Sequence, residues 1–192
     1  ALNAAGINSN NDVNWRDVVT RQGDFTNLNF SAAGGDPKTT FYTSIGYNKQ
    51  QSPVIGSDFQ RYSGSINLNH KASEKFTIAL NIIGSYLDQN SPTQSGAFRN
   101  PVLAAAFLKP TVSPYDSNGK VNFSRTFFNQ VYNPLAVVQY DREIFRNIKT
   151  ISTISGIYNI LPGLYFTTKF GIDYINIQEQ SYRNPFFGDS RI

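Results

Sequence analysis

From Phe76 to Tyr86 the chain alternates. Phe76, Ile78, Leu80, Ile82, Gly84 and Tyr86 share one parity, while Lys75, Thr77, Ala79, Asn81, Ile83 and Ser85 share the other and are far more polar. A period of two is that of a strand with one apolar and one wet face. The same pattern recurs over 24–33 (Thr26, Leu28, Phe30, Ala32), 38–49 (Thr39, Phe41, Thr43, Ile45, Tyr47) and 58–70 (Tyr62, Gly64, Ile66, Leu68). It returns more weakly over 144–160 and again over 164–178, where Leu164, Phe166, Thr168, Phe170, Ile172 and Tyr174 oppose Thr167, Lys169, Gly171 and Asp173. With 74–88 this predicts six strands and an all-β fold.

The connections fall into two classes that alternate along the chain. Those at 34–37, 71–73 and 161–163 are minimal, with turn-forming Gly34-Gly35-Asp36-Pro37 and Leu161-Pro162-Gly163. Those at 50–57 and 89–143, and the segment from 179 onward, are longer. Short turns thus collect at one end of an antiparallel sheet and long loops at the other, the layout of an outer-membrane barrel with periplasmic turns and extracellular loops. Apolar faces must stay together across each hairpin. That condition is met by Phe30 opposite Phe41, Leu68 opposite Phe76 and Tyr158 opposite Phe166. Residues 1–22 read as irregular and hold the single tryptophan, Trp15; 89–143 shows no steady period. Within it "NPVLAAAFLKP" suits about two helical turns, and the Asn-Pro pairs at 100–101, 133–134 and 184–185 read as turn starts.

The strands are too long for an ordinary soluble sheet, whose strands run to about 5–6 residues. Aromatic residues bound their apolar faces. Phe41, Phe76, Tyr158 and Phe166 fall toward the short-turn end; Tyr47, Tyr62, Tyr86 and Tyr174 fall toward the long-loop end. Aromatic rings gather where hydrocarbon meets water. From Phe76 to Tyr86 is about 33 Å of strand, which at a tilt of about 40° spans about 25 Å, the height of an apolar barrel band. One face is thus expected to meet lipid and the other to line a wet lumen. Lipid forbids open sheet edges, so six strands are expected to be part of a larger barrel. Alternation alone also fits a soluble β-sandwich, or a surface-exposed β-sheet binding module for carbohydrate or protein.

Composition agrees with a wall of this kind. Charged residues are only 16% of the 192, so polarity must come from Asn, Ser, Thr and Gln. Mean hydropathy is −0.35, which leaves no apolar run long enough for a membrane-spanning helix. There is no cysteine, so disulfides and thiolate metal sites are excluded, and no cofactor is expected. The net charge is +4, but the seventeen Lys and Arg are scattered, which argues against a nucleic-acid footprint. The start carries no signal-peptide pattern and no Met, and a piece of a longer chain is expected.

Catalytic chemistry finds little support, and no enzyme is expected. His70, the one histidine, falls beside a turn. Asp141 and Glu143, flanking Arg142, read as solvated loop charges, and Gly34-Gly35 precedes no helix that could bind phosphate. Candidates for contact with cargo are Arg61, Asn81, Lys169 and Asp173 on wet faces. Phe98, Tyr115, Phe107 and Tyr132 join them from the long loop, where rings could meet sugars or pack the loop's own core.

Specific segments carry a family resemblance. Asp12, Trp15 and Asp17 open it, followed by "SAAGGDPKTTFYTSIGY", "GSDFQRYSGSINLNHK", "NPVLAAAFLKPTVSPYDSNGK", "YNPLAVVQYD", "ILPGLYFTTKFGIDY" and "YRNPFFGD". Together they resemble the barrel of SusC/RagA-like TonB-dependent outer-membrane transporters of the Bacteroidota, in family order over nearly the whole chain. The resemblance implies a 22-strand barrel, a plug domain and TonB box not matched in this sequence, and a SusD-like lipoprotein as lid. It implies oligosaccharide or peptide cargo, energy from the TonB complex, and contact with lipid and lipopolysaccharide.

Overall fold

The computed structural model describes residues 11–92, 98–122, 124, 128 and 131–185. Six strands follow one another as neighbours in a single antiparallel sheet: β1 (Phe25–Gly35), β2 (Thr39–Gln51), β3 (Asp58–Lys71), β4 (Phe76–Ser91), β5 (Arg142–Leu161) and β6 (Leu164–Tyr182). β1 and β6 are not paired with each other, so the sheet is an open wall. β5 and β6 reach 20 and 19 residues. In β5 the isoleucines recur every third residue, at 148, 151, 154, 157 and 160, so its period-two signal is weak in sequence, and pairing with β4 and β6 fixes it as a strand.

The sheet packs against no second layer among the described residues. Among the described residues the buried hydrophobics are Trp15, Val19, Ala104, Leu108, Val112, Phe128, Ala136 and Val137, and none belongs to a strand. Ile45 and Phe170 are 64% and 63% exposed. A soluble sandwich would have to cover such a face. Among the described residues the apolar parity is therefore not covered by a protein layer.

The parity of every hairpin is as expected, but two registers are not. Tyr158 does lie opposite Phe166. Phe30, however, pairs with Ile45, and Leu68 with Leu80. Both differ by four residues from the expected partners, Phe41 and Phe76. Side-chain capping places the turns later. Asp36 accepts from the amides of Lys38 and Thr39, at 2.7 Å each, and Ser73 Oγ accepts from Lys75 and Phe76. Parity restricts register only to steps of two, and the capping residue decides among them. The Thr39 and Lys38 amides also hold the Asp36 carboxyl below its ordinary range, and His70 adds a smaller Coulombic pull.

Successive hairpins are staggered. β1–β2 ends on Gly35–Thr40, β3–β4 on Lys71–Thr77, and β5–β6 on Leu161–Leu164 beyond the Phe76–Tyr158 pair. A progressive offset of this kind is the shear that a tilted barrel wall requires.

At the long-loop end stands a small cap, of which the sequence reading foresaw one helix, the two turns within 100–110. Its helices are α1 (Trp15–Val19), α2 (Pro101–Phe107) and α3 (Pro134–Tyr140). Of the stretch expected to be irregular, 1–10 lies outside the described residues, whereas 15–19 is helical. Asn100-Pro101 and Asn133-Pro134 start helices rather than simple turns. Each Asn side chain accepts from backbone amides of the first turn, and each Pro occupies a position whose N–H would go unused. Trp15 packs on Leu108, Val112 and Phe128, with its ring edge-on to Phe128 at 6.1 Å and its Nε1 donating to the Lys109 carbonyl at 3.0 Å.

The cap is tied to the wall at several points. The amides of Arg21 and Ile55 donate to the carbonyls of Pro53 and Val19 across the β2–β3 loop. Gly56, at φ +76°, sits where a Cβ would be 2.6 Å from Val138 of α3, so both conformation and space demand glycine. The Arg21 guanidinium reaches Asp58 at 2.7 Å. Most deeply, Arg99 pairs with Asp141, each side chain being 1% exposed. Asp141 thus corrects the reading of a solvated loop charge. Its second oxygen accepts from the Asn184 amide at 2.9 Å, which joins α2 to the start of β5 and the exit of β6.

Candidate functional site: the wet face and the loop cap

The two parities of the sheet have distinct chemistry. The apolar one carries a row Tyr47–Tyr62–Tyr86 across β2, β3 and β4, with ring centroids 5.0 and 6.4 Å apart. Toward the short turns it carries Phe76–Tyr158–Phe166 across β4, β5 and β6, the first two rings being 6.5 Å apart. Phe41 and Tyr174 lie off these rows. Phe41 shares the row of Leu68, Leu80, Ile154 and Phe170; Tyr174 shares that of Thr150 and Gly84. Both offsets run in the direction of the hairpin stagger.

The other parity is small and polar midway along β1–β3. Asn29, Gly46 and Ser63 share one row, and Ser31, Ser44 and Ser65 another. Ser44 and Ser65 hydroxyls are 2.7 Å apart. Four candidates sit on this wet parity but do not converge. Arg61 lies between Asn48 and Leu87. Asn81 donates its amide to Asn67. Lys169 faces Ser155 and Asp173 faces Ile151, four residues apart on β6. Sequence reading passed over Tyr42, an exposed ring on this polar parity, opposite Asn67. A lone aromatic among Thr, Ser and Gly was the available signal.

In the cap, Phe98 meets Phe107 edge-on at 5.8 Å, and both stay about half exposed on the outer side of α2. Tyr115 is exposed beside a bridge to Val121. Tyr132 lies under the Arg99 guanidinium at 5.7 Å, within the cap's own framework. Asn133, 1% exposed, donates to the carbonyls of Pro114 and Asn122 and so braces the strandless loop. None of this assembles paired carboxylates or a nucleophile with a base.

The architecture defines a class first: one stretch of the wall of a large antiparallel barrel, bare on its apolar side and capped at one end. Comparison with known proteins then narrows it. The chain is 28% identical over 182 residues to TonB-dependent receptor P39 of Formosa agariphila, covering 94% of this chain and 17% of that protein. It is 23% identical over 200 residues to TonB-dependent receptor SusC of Bacteroides thetaiotaomicron, covering 93% and 20%. No protein-family model matches. Among solved structures, the RagAB peptide transporter superposes with a TM-score of 0.74 at 20% identity, over 92% of this chain and 20% of that one, which speaks to the fold. The chain is thus SusC/RagA-like: similar in sequence to a stretch of TonB-dependent receptors, and in fold to part of the barrel wall of RagAB. It spans about a fifth of the length of these relatives.

Proposed function

We propose that this chain is a section of the barrel wall of an outer-membrane transporter that imports oligosaccharides or peptides. In this reading a SusD-like lipoprotein closes the long-loop end, and the TonB complex supplies energy through a plug outside the matched region. The apolar parity meets lipid and lipopolysaccharide, the wet parity lines the lumen, and the cap is extracellular. Arg61, Asn81, Lys169 and Asp173 face the passage; Phe98 and Tyr115 face outward with the cap.

The observation that carries the reading is the uncovered sheet. Its apolar face, bounded by aromatic rows, has no protein layer against it, and water is a poor partner for it. An open six-stranded edge is equally unsuited to hydrocarbon, which calls for further strands to close the barrel. The relatives are named as receptors, and RagAB as a peptide importer.

The test uses the full-length protein in its own cells. Membrane fractionation should place it in the outer membrane, released by detergent and not by high salt. Affinity purification through a tag should bring a surface lipoprotein with it. Recovery in the soluble fraction would end the proposal.

A further inference from the structure

The wet parity carries one row that neither the strand pattern nor the relatives bring to notice. Two residues beyond Arg61 toward the loops, the pairings align Phe25, Gln50, Phe59, Gln89, Phe145 and Glu179 side by side, one from each strand from β1 to β6. Rings occupy every odd strand, and an amide or carboxylate every even one. We propose that this row is a binding track for a neutral oligosaccharide at the mouth of the lumen, resting on the reading of the wall as a transporter's.

Position argues against a bilayer role for these rings. The lipid-boundary row Tyr47–Tyr62–Tyr86 has the opposite parity, so Phe25, Phe59 and Phe145 project from the other side of the wall. Nor does this section of the wall bury them. Phe25 is 65% exposed, and Phe59, Gln89 and Phe145 are partly exposed. At the β5–β6 end, Phe145 and Glu179 line an open concavity of about 560 Å³ with Ser91, Glu143 and Ser181 of the same parity, and Ile144 and Gln180 of the adjacent row border it. That volume falls within the range of about 300–1,000 Å³ usual for small-molecule sites.

Spacing and chemistry select the ligand. Rings on alternate strands are about 9.6 Å apart, the reach of two linked pyranoses. The face of a ring is electron-rich and apolar, and matches the C–H face of a sugar. Between rings, Gln50 and Gln89 offer both a donor and an acceptor to hydroxyl pairs, and Glu179 offers acceptors. The row holds a single formal charge and no cation. A peptide held by strand addition needs free backbone groups, yet between β1 and β6 the ladder already uses them. A polyhydroxyl chain needs only the side chains that are present.

The test titrates detergent-purified full-length transporter with maltohexaose, xylohexaose and laminarihexaose by calorimetry, and with a pool of mixed peptides in parallel. At least one hexasaccharide should bind. Phe59→Ala and Phe145→Ala should each weaken it about tenfold, as loss of a stacked ring does. Gln89→Ala should weaken it less, and Phe59→Tyr should retain it. Heat-modifiable migration on gels keeps unfolded variants out of the comparison. Binding unchanged within twofold in both Phe→Ala variants overturns the track, as does binding of peptides alone or of no probe. Each of these outcomes leaves the fractionation result for the transporter reading untouched.

Discussion

Replacing Asp141 by Ala separates the cap from the wall energetically. The Asp141 and Arg99 side chains are each 1% exposed, so truncation leaves a guanidinium buried without its counter-charge. Loss of one partner of such a pair costs about 3–5 kcal/mol. The bond from the Asn184 amide goes too, adding about 1 kcal/mol. The cap's buried hydrophobic set is small, and a loss of that size exceeds what a unit of this extent holds in reserve. Trp15 supplies the assay, because it lies at the centre of the cap, and its own emission in the full-length protein is obtained as the difference from the same variant carrying Trp15→Phe. In detergent, Trp15 emission should shift to the red and its urea transition should move to lower concentration or vanish, while the strand signal in far-UV circular dichroism persists. Asp58→Ala is the control. Its partner Arg21 also ties cap to wall, but the two side chains are 33% and 38% exposed, so its loss costs under about 1 kcal/mol. Equal and small Trp15 shifts in the two variants would refute the clasp.

Two further outcomes probe the wall. Ile82→Arg, midway between the aromatic rows on the apolar parity, should destabilise folding into lipid vesicles by about 2–4 kcal/mol, whereas Ser65→Arg on the wet parity should cost far less; equal penalties in a vesicle-folding titration would contradict the assignment of faces. The Asp36 turn should depend on acidity in one direction: its folded carboxyl lies below the unfolded value of 3.8, so its contribution is complete above that value and lost as pH falls through the lower folded one, read as faster amide exchange at Thr39 after correction for intrinsic rates.

How much of this was legible in the sequence follows from the range of each signal. Period-two alternation is local, so the strands were legible, including which parity of β4 is apolar. Register is less local: Leu68 opposite Phe76 and Leu68 opposite Leu80 satisfy the same parity, and only the Ser73 cap distinguishes them. Of the cap, α2 was legible as two turns in the Ala-rich stretch 100–110, whereas α1 and α3 are too short to display a period. Its decisive pair is 42 residues apart, and Asn-Pro is as much a helix start as a turn. Arg61, Asn81, Lys169 and Asp173 share one parity, as alternation alone predicts, but their mutual distances depend on shear. The Phe25–Glu179 row required all five pairings at once.

The unpaired margins of β1 and β6 have a practical consequence. A nineteen-residue ribbon such as β6 presents a line of unsatisfied amides and carbonyls along its outer side, which is a template for any other copy. Residues 1–192 produced in isolation would therefore stack margin to margin into insoluble assemblies. Work on this section calls for the intact polypeptide.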